Sequence, residues 1–421
     1  MGPFVLVLGI AALIAVLVSA ISSRSPLSTT AVFLVVGLAA GPIGLDVVDV
    51  SEETVEKAAE VALFVILFVD GQHAPWNLWR RHLPRASLTL LVAMPLTFVI
   101  VAAAGHWIVG LSWGAALVLG AVLAPTDPVF ASALVGRDDV PEGTRSLLNL
   151  ESGLNDGLAL IAVLGLVGLA GAEVPRWSTD PWTLGLEAVL GAVIGLLVPL
   201  LIVVLLRLPG LGSVEGLQAL GPIAVALVLY GVCDLAHLNQ FLAAFIGGAT
   251  LASVRPESSA AFGQLDEVVS ELVKGGALIA FASLVVPEDL AGVLWPAIAV
   301  AAIALLVARP LPVYAVLAPT AMSRRESFAV SWFGPKGFAS VAYGVIVASS
   351  DLAGAKEVLA VVTIVVLASV VLHSSTDVSV ARWLREGQDP DEGADAESRE
   401  AQQRVSRPAG AQTGDDGAPA H

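Results

Sequence analysis

Two carboxylates, an amide and a hydroxyl occur within six residues of the stretch ESGLNDG, residues 151–157. At about 100° per residue on an α-helix, Glu151, Asn155, Ser152 and Asp156 fall within an arc of about 140°. The segments on both sides are apolar, and a lone carboxylate buried in hydrocarbon is costly unless it is paired or protonated. The spacing therefore predicts one polar stripe of paired or titrating groups that faces the interior of a helix bundle.

A second polar feature precedes this stripe, in the sequence APTDPV at 124–129. Pro125 and Pro128 flank Thr126 and Asp127, and each proline removes a backbone donor and clashes with the preceding turn. We expect the helix to unwind at Thr126–Asp127. Backbone N–H and C=O groups without helical hydrogen bonds are tolerated inside a membrane only where they face protein or a water-filled cavity.

The sequence GPKG at 334–337 predicts a second helix interruption of this kind, because Gly334, Pro335 and Gly337 surround Lys336. The two interruptions lie seven predicted spans apart, so the helices that carry them cross the membrane in opposite senses. Paired interrupted helices in corresponding halves indicate a transporter site near the midplane. The alternative is two ordinary proline kinks without a function.

The composition places these features in a membrane. Of the 421 residues, 56% are hydrophobic and 14% are charged, and the mean hydropathy is +0.84. These values predict an all-α polytopic membrane protein. No basic patch favours nucleic-acid binding, the single cysteine excludes an internal disulfide, and no cofactor is expected. The thirteen predicted spans are 3–22, 27–44, 54–71, 86–105, 112–135, 143–171, 182–206, 214–233, 238–253, 266–286, 290–318, 326–350 and 356–376.

Basic residues orient these spans. With the N-terminus outside, twelve arginines fall in the cytoplasmic connections, whereas Arg176 and Lys356 fall outside. This asymmetry predicts a cytoplasmic C-terminus. The membrane domain covers 1–380, with inverted repeats at about 1–171 and 214–376 and a connector helix at 182–206. Residues 386–421 are polar and acidic and are predicted to form a disordered cytoplasmic tail.

Charge pairing within the spans is only partly assignable. The cations there are Lys274, Arg309 and Lys336. If Lys336 or Arg309 neutralises Glu151, then Asp156 and Asp127 have no obvious fixed partner. Such acids can bind either a proton or a small cation, which is the competition that an antiporter requires.

The motifs APTDPV, ESGLNDG, NQFLAAFIGG and GPKG resemble those of the cation:proton antiporters of the NhaP and animal sodium/proton exchanger group. The resemblance covers residues from about 5 to 376. It implies that Asp156 binds the ion and the proton, with Asn155 beside it. Additional ion ligands are implied at Ser152, Asp127 and the Thr126 backbone, and Asp70 matches an acidic position that acts through water.

The same resemblance makes Glu151 a structural acid that pairs with the basic residue of the second interrupted helix, here Lys336. Arg309 resembles a second basic residue on the preceding helix, and the choice between these two partners stays open. The family further implies two six-helix bundles, a homodimer and, because position 155 is Asn155, electroneutral exchange.

The predicted function is exchange of Na⁺, or Li⁺, for H⁺ by alternating access across the cell membrane. A K⁺/H⁺ antiporter is the main alternative within this class. Two other classes use the same residues differently: a cation channel or sensor on this scaffold, and an intramembrane hydrolase with an Asp127–Asp156 dyad. Fluxes above carrier rates would identify the former, and peptide cleavage would identify the latter.

Overall fold

The computed structural model describes residues 2–22, 29–127, 142–206, 208, 217–263 and 265–385. Within these ranges the chain is helical, and its single β-bridge joins Val174 and Trp177. This agrees with the predicted all-α class. The predicted tail at 386–421 lies outside the described residues, as does the part of the fifth predicted span beyond Asp127.

The helices are numbered in chain order. They are α1 (Gly2–Ser22), α2 (Thr29–Ala40), α3 (Glu52–Gln72), α4 (Trp76–Val109), α5 (Trp113–Leu123), α6 (Glu142–Leu169), α7 (Pro181–Leu206), α8 (Leu220–Ala236), α9 (Gln240–Val254), α10 (Pro256–Phe262), α11 (Asp266–Ala282), α12 (Pro287–Ala291), α13 (Leu294–Leu317), α14 (Arg324–Trp332), α15 (Phe338–Ala348) and α16 (Ala355–Arg385).

Five of these helices are long and apolar enough to cross a membrane by length and composition: α4, α6, α7, α13 and the segment Ala355–His373 of α16. Shorter apolar helices are α2, α5, α8, α9, α15 and the segment Gly2–Val18 of α1. The apolar helices overlap the predicted apolar segments, although α4 begins at Trp76 rather than at 86, and the short helices α10 and α12 lie largely between predicted segments. The count of thirteen spans stays a prediction.

The helices pack in two groups. In the first group α3 packs on α9 and α11, α9 packs on α7 and α8, and α1 and α2 pack on α11. In the second group α5 packs on α4 and α6, and α13 and α15 pack on α16. The groups meet along a seam where α15 contacts α3 and α6 contacts α9. Each group draws helices from both halves of the sequence, and the inverted repeat itself stays a prediction.

Local signals fix several helix starts. The Ser112 side chain accepts a hydrogen bond from the backbone N–H of Ala115 and so caps α5. Ser323 and Glu326 form a capping box at the start of α14. Asp180 precedes α7 and accepts hydrogen bonds from the backbone N–H and hydroxyl of Thr183, both at 2.8 Å. The backbone bond, followed by the hydroxyl bond, lowers the pKa of the exposed Asp180 carboxyl.

Candidate functional site

Two non-helical segments cross between the bundle helices. Helix α5 ends at Leu123, and residues 124–127 continue without helical structure. Residues 333–337 likewise separate α14 from α15. The segments touch where the Asp127 backbone N–H donates to the Pro335 carbonyl at 3.0 Å. Helix α5 thus ends at the first predicted motif, a non-helical segment separates α14 from α15 at the second, and the crossing brings the two motifs together.

Each crossing segment places a charge at the helix end of the other. The Asp127 carboxylate accepts a hydrogen bond from the Phe338 backbone N–H at 2.6 Å, at the start of α15. Lys336 Nζ donates to the carbonyls of Ala124 at 3.1 Å and Pro125 at 3.0 Å, just after α5. An anion at a helix N-terminus and a cation at a C-terminus both compensate the helix dipole. The crossing is therefore stabilised by reciprocal charge caps.

The carboxylate Glu151 pairs with Arg309 rather than with Lys336. Arg309 Nη2 lies 2.9 Å from Glu151 Oε1, and both side chains are buried. Arg309 Nη1 also donates to the Val330 and Ser331 carbonyls at 2.8 and 2.9 Å. A Cβ on Gly334 would lie 1.9 Å from Arg309 Nε, so the glycine makes room for the guanidinium.

This arrangement corrects the pairing that the resemblance implies for Lys336. The ammonium of Lys336 is a compact donor that fits between two carbonyls, and it is committed there. The planar guanidinium of Arg309 instead bridges a carboxylate and two carbonyls at once. Charge alone left both partners open, and donor geometry explains the observed choice.

The polar stripe of α6 faces the crossing. The Ser152 hydroxyl donates to the Thr126 carbonyl at 2.5 Å, and Asn155 Nδ2 donates to Thr126 Oγ1 at 3.0 Å. The predicted stripe therefore exists and contacts the first interrupted segment. In this conformation Ser152 and Asn155 both donate to Thr126.

Asp156 completes the stripe and differs from the other acids. Its side chain is buried, and no described residue donates a hydrogen bond to its Oδ1. The backbone of Asp156, in contrast, is held by a hydrogen bond: the Tyr343 hydroxyl donates to the Asp156 carbonyl at 2.6 Å. Burial without a fixed partner is costly for an ionised carboxylate. Asp156 is therefore a candidate for an exchangeable ligand.

Asp70 reaches the site from the first helix group. It lies near the end of α3, within electrostatic range of Asp156. Lys336 is the cation that acts on Asp156 in return. The candidate site thus lies on the seam, with Asp70 on one side and Asp127, Asp156 and Lys336 on the other.

The oxygens around Asp156 are chemically mixed. They belong to carboxylate, amide and hydroxyl groups and to backbone carbonyls, the hard donors that suit Na⁺ or another hard cation. Within the ranges that the structure describes, no three His, Cys, Asp or Glu side chains form a group able to hold a metal ion.

Three further polar side chains on the seam are absent from the sequence-based prediction. Glu56 and Glu60 lie on α3 and are buried, and Tyr343 lies on α15 against Asp156. Glu56, Glu60 and Asp70 fall within an arc of about 80° on α3, so helical periodicity was the available signal for the two glutamates. No pattern in the apolar run around Tyr343 distinguishes it.

A comparison with protein families gives an independent result. Residues 10–383 match the family described as "Sodium/hydrogen exchanger, transmembrane". This range contains both interrupted helices and the whole polar stripe of α6.

Individual relatives agree with this match. The chain is 28% identical to the K⁺/H⁺ antiporter NhaP of Alkalimonas amylolytica over 90% of this chain and 67% of the relative. It is 26% identical to the K⁺/H⁺ antiporter NhaP2 of Shewanella sp. strain MR-4, over 90% of this chain and 66% of the relative. The chain therefore spans about two thirds of the length of these relatives. A probable Na⁺/H⁺ antiporter of Schizosaccharomyces pombe is 28% identical, over 70% of this chain and 41% of that protein.

The fold is also found among solved structures. The sodium proton antiporter MjNhaP1 of Methanocaldococcus jannaschii superposes with a TM-score of 0.74 at 18% identity. The superposition covers 91% of this chain and 98% of that structure. The two proteins share the same helical architecture.

Proposed function

We propose that this chain, which belongs to the family of transmembrane sodium/hydrogen exchangers, exchanges a monovalent cation for a proton by alternating access. The observation that carries this proposal is the state of Asp156. This carboxylate is buried on the seam between the helix groups, and no described residue donates to its Oδ1. Such a group must hold a proton or a cation to remain in an apolar bundle.

The surrounding charges support this assignment because three of them already have structural partners. Glu151 pairs with Arg309, Asp127 caps α15, and Lys336 caps the end of α5. Asp156 can therefore change its ligand without disturbing these contacts. One carboxylate that holds either a proton or a cation couples the two fluxes, because both ligands cannot bind at once.

The remaining residues have supporting roles in this proposal. Ser152 and Thr126 supply hydroxyl and carbonyl oxygens, and Asn155 supplies its amide oxygen, which accepts no hydrogen bond from the described residues. Asp127 adds a nearby negative charge while it caps α15. Asp70, on the opposite side of the seam, acts on the ion through water.

Reconstitution tests the proposal directly. Proteoliposomes with an imposed pH gradient would receive sodium, lithium, potassium or choline chloride in turn. We expect an alkali cation, but not choline, to collapse the gradient, and we expect Asp156→Asn to abolish this response. Asp289→Asn changes an exposed acid outside the site and serves as the matched control. A folded Asp156→Asn variant that still exchanges would contradict the assignment.

Sodium is the cation that we propose, with lithium as a possible second substrate. Potassium is the second candidate, because the similar bacterial proteins are named K⁺/H⁺ antiporters. Initial rates with each cation at equal concentration decide between them. Rates that saturate at carrier-like turnover would also exclude the channel alternative.

Electroneutral exchange follows in this proposal from Asn155, which carries no charge beside Asp156. One cation then replaces one proton, and no net charge crosses the membrane. Current measurements on proteoliposomes test this stoichiometry. A sustained transport current under an imposed cation gradient would refute it.

The setting of the protein is part of the same proposal. We place it in the cell membrane with the N-terminus outside, as a homodimer of transporters rather than an enzyme. Thiol labelling of single-cysteine variants at either chain end in intact cells tests the orientation. Cross-linking in native membranes tests the dimer.

A further inference from the structure

A cavity of about 500 Å³ opens at one end of the seam, away from the crossing. It lies between the first half of α3, the connection of α6 to α7, and the turn between α8 and α9. Positive-inside orientation predicts that this face is external. Its charged or titratable lining residues are Lys57, Glu60, Arg176, Glu187, Cys233, Asp234 and His237.

Glu60 is the buried acid of this cavity, with a residue exposure of 2%. Its Oε1 accepts hydrogen bonds from Gln240 Nε2 at 2.7 Å and from the Tyr230 hydroxyl at 3.4 Å. Its Oε2 accepts no hydrogen bond from any described residue and lies 3.6 Å from Arg176 Nη2. One oxygen of a buried carboxylate is therefore held only by a cation.

That cation is loosely held. The Arg176 side chain is 42% exposed, and its other acidic contact is Asp234 Oδ1 at 4.0 Å. Arg176 lies on the tight turn Val174–Trp177, where its φ is 68°. Arg176 is the third residue of this turn, a position with positive φ that glycine usually occupies. Residues other than glycine adopt such a backbone conformation only rarely.

An aromatic layer separates the cavity from the Asp156 site. Trp177, which lines the cavity, stacks on Phe241 with a centroid distance of 6.3 Å. Phe241 contacts the ring of Tyr343 at 6.4 Å, and the Tyr343 hydroxyl donates to the Asp156 carbonyl. Two buried rings thus lie between the cavity and the stripe of α6, and Glu60 and Asp70 share one face of α3 along the same path.

We propose that Glu60 is an outer binding site for the transported monovalent cation, and that Arg176 occupies this site as a tethered competitor. An arriving cation takes the place of the guanidinium at Glu60 Oε2, and Arg176 turns outward to Asp234 and solvent. The Glu60 site then supplies ions to Asp156 when the aromatic layer opens. This inference rests on the proposed antiport function.

Sided transport kinetics test the inference. In oriented proteoliposomes, exchange rates are measured against cation concentration on each face separately. For Glu60→Gln we expect KM at the cavity face to rise about tenfold, because a direct charge contact is lost, with kcat changed by less than about twofold. KM at the opposite face should not change. For Arg176→Gln we expect KM at the cavity face to fall.

Glu53→Gln is the matched control, because it makes the same change on the exposed first turn of α3. Its KM values should equal those of the unaltered protein on both faces. If Glu60→Gln raises both KM values equally, or changes neither, the outer site is refuted. Melting temperatures in detergent confirm that each variant is folded.

A second measurement does not depend on transport. Cys233 is the single cysteine of the chain and lines the same cavity, with a residue exposure of 1%. Its reaction with a methanethiosulfonate reagent is followed by intact-protein mass. We expect sodium or potassium chloride, but not choline chloride, to speed labelling several-fold by displacing Arg176. Arg176→Gln should react fast in every salt, and Glu60→Gln should lose the cation response.

The two measurements separate this inference from the proposed function. If the unaltered protein does not exchange ions but Cys233 shows the cation response, the antiport function fails and the outer site stands. If exchange occurs and Cys233 labelling is the same in choline, sodium and potassium, the outer site fails and the antiport function stands.

Discussion

Two glutamate–arginine pairs lie on the seam of this protein, and they differ in how firmly the arginine is held. Arg309 reaches Glu151 at 2.9 Å and donates to two backbone carbonyls as well. Arg176 lies 3.6 Å from Glu60 and is 42% exposed beside a cavity. The first pair is a fixed structural element, whereas the second can exchange its cation.

The same contrast applies to the carboxylates that bind no arginine. Asp127 is fixed by the Phe338 backbone N–H at 2.6 Å, while Asp156 Oδ1 accepts no hydrogen bond from the described residues. Fixed acids hold the crossing of the two interrupted helices together. Asp156 and Glu60, for which we propose exchangeable ligands, each have one carboxylate oxygen that accepts no hydrogen bond from the described residues. Burial alone therefore does not separate the acids with fixed partners from those for which we propose exchangeable ligands.

The largest expected loss of stability comes from removing Arg309, the firmly held arginine. Arg309→Met leaves Glu151 buried without its cation, which should lower the free energy of unfolding by about 3–5 kcal/mol. Thermal melting in detergent measures the loss. The double variant Glu151→Gln/Arg309→Met should recover most of it, because no buried charge remains unpaired. A single variant as stable as the unaltered protein would show that the pair is not structural.

Lys336→Met should cause the next largest loss in the free energy of unfolding. It removes a charged donor from the carbonyls of Ala124 and Pro125 and leaves the end of α5 without a cap. Charged hydrogen bonds of this kind contribute about 1.5–3 kcal/mol. The melting temperature should fall accordingly, and Lys356→Met, at an exposed lysine, serves as control. Equal melting temperatures for the two variants would contradict the capping role.

Gly153→Ala tests the packing of the α6 stripe against the first helix group. A Cβ at Gly153 would lie 1.9 Å from the Phe245 ring, so the ring or the helix must move. Overpacking of this kind costs about 1–3 kcal/mol. Gly157→Ala is the control, since its Cβ would meet Leu242 at 3.2 Å. If both variants melt alike, α6 and α9 are packed less closely than in this structure.

The smallest effect on stability is expected at the outer pair. Arg176→Met removes a cation that is 42% exposed and lies 3.6 Å from Glu60, and water in the cavity can replace much of its interaction with that carboxylate. The change should therefore be several-fold smaller than for Arg309→Met in the same melting assay. Equal losses for the two Arg→Met variants would make Arg176 a structural residue and remove the contrast between the pairs.

The sequence alone determined the local features of the site. Prolines and glycines predicted both helix interruptions, because these residues break helices whatever surrounds them. Helical periodicity predicted that Glu151, Ser152, Asn155 and Asp156 share one stripe, and the structure has that stripe facing the crossing. The same periodicity on α3 would have indicated Glu56 and Glu60.

Tertiary structure decided which partner each charge received. Glu151 could pair with Lys336 or Arg309 by charge, and the choice depends on where α13 and α14 bring the guanidinium. Lys336 caps α5 and Asp127 caps α15 because two segments far apart in sequence cross at that point. Spacing along one helix fixes which side chains share a face, but contacts between helices depend on packing angles that no single segment encodes.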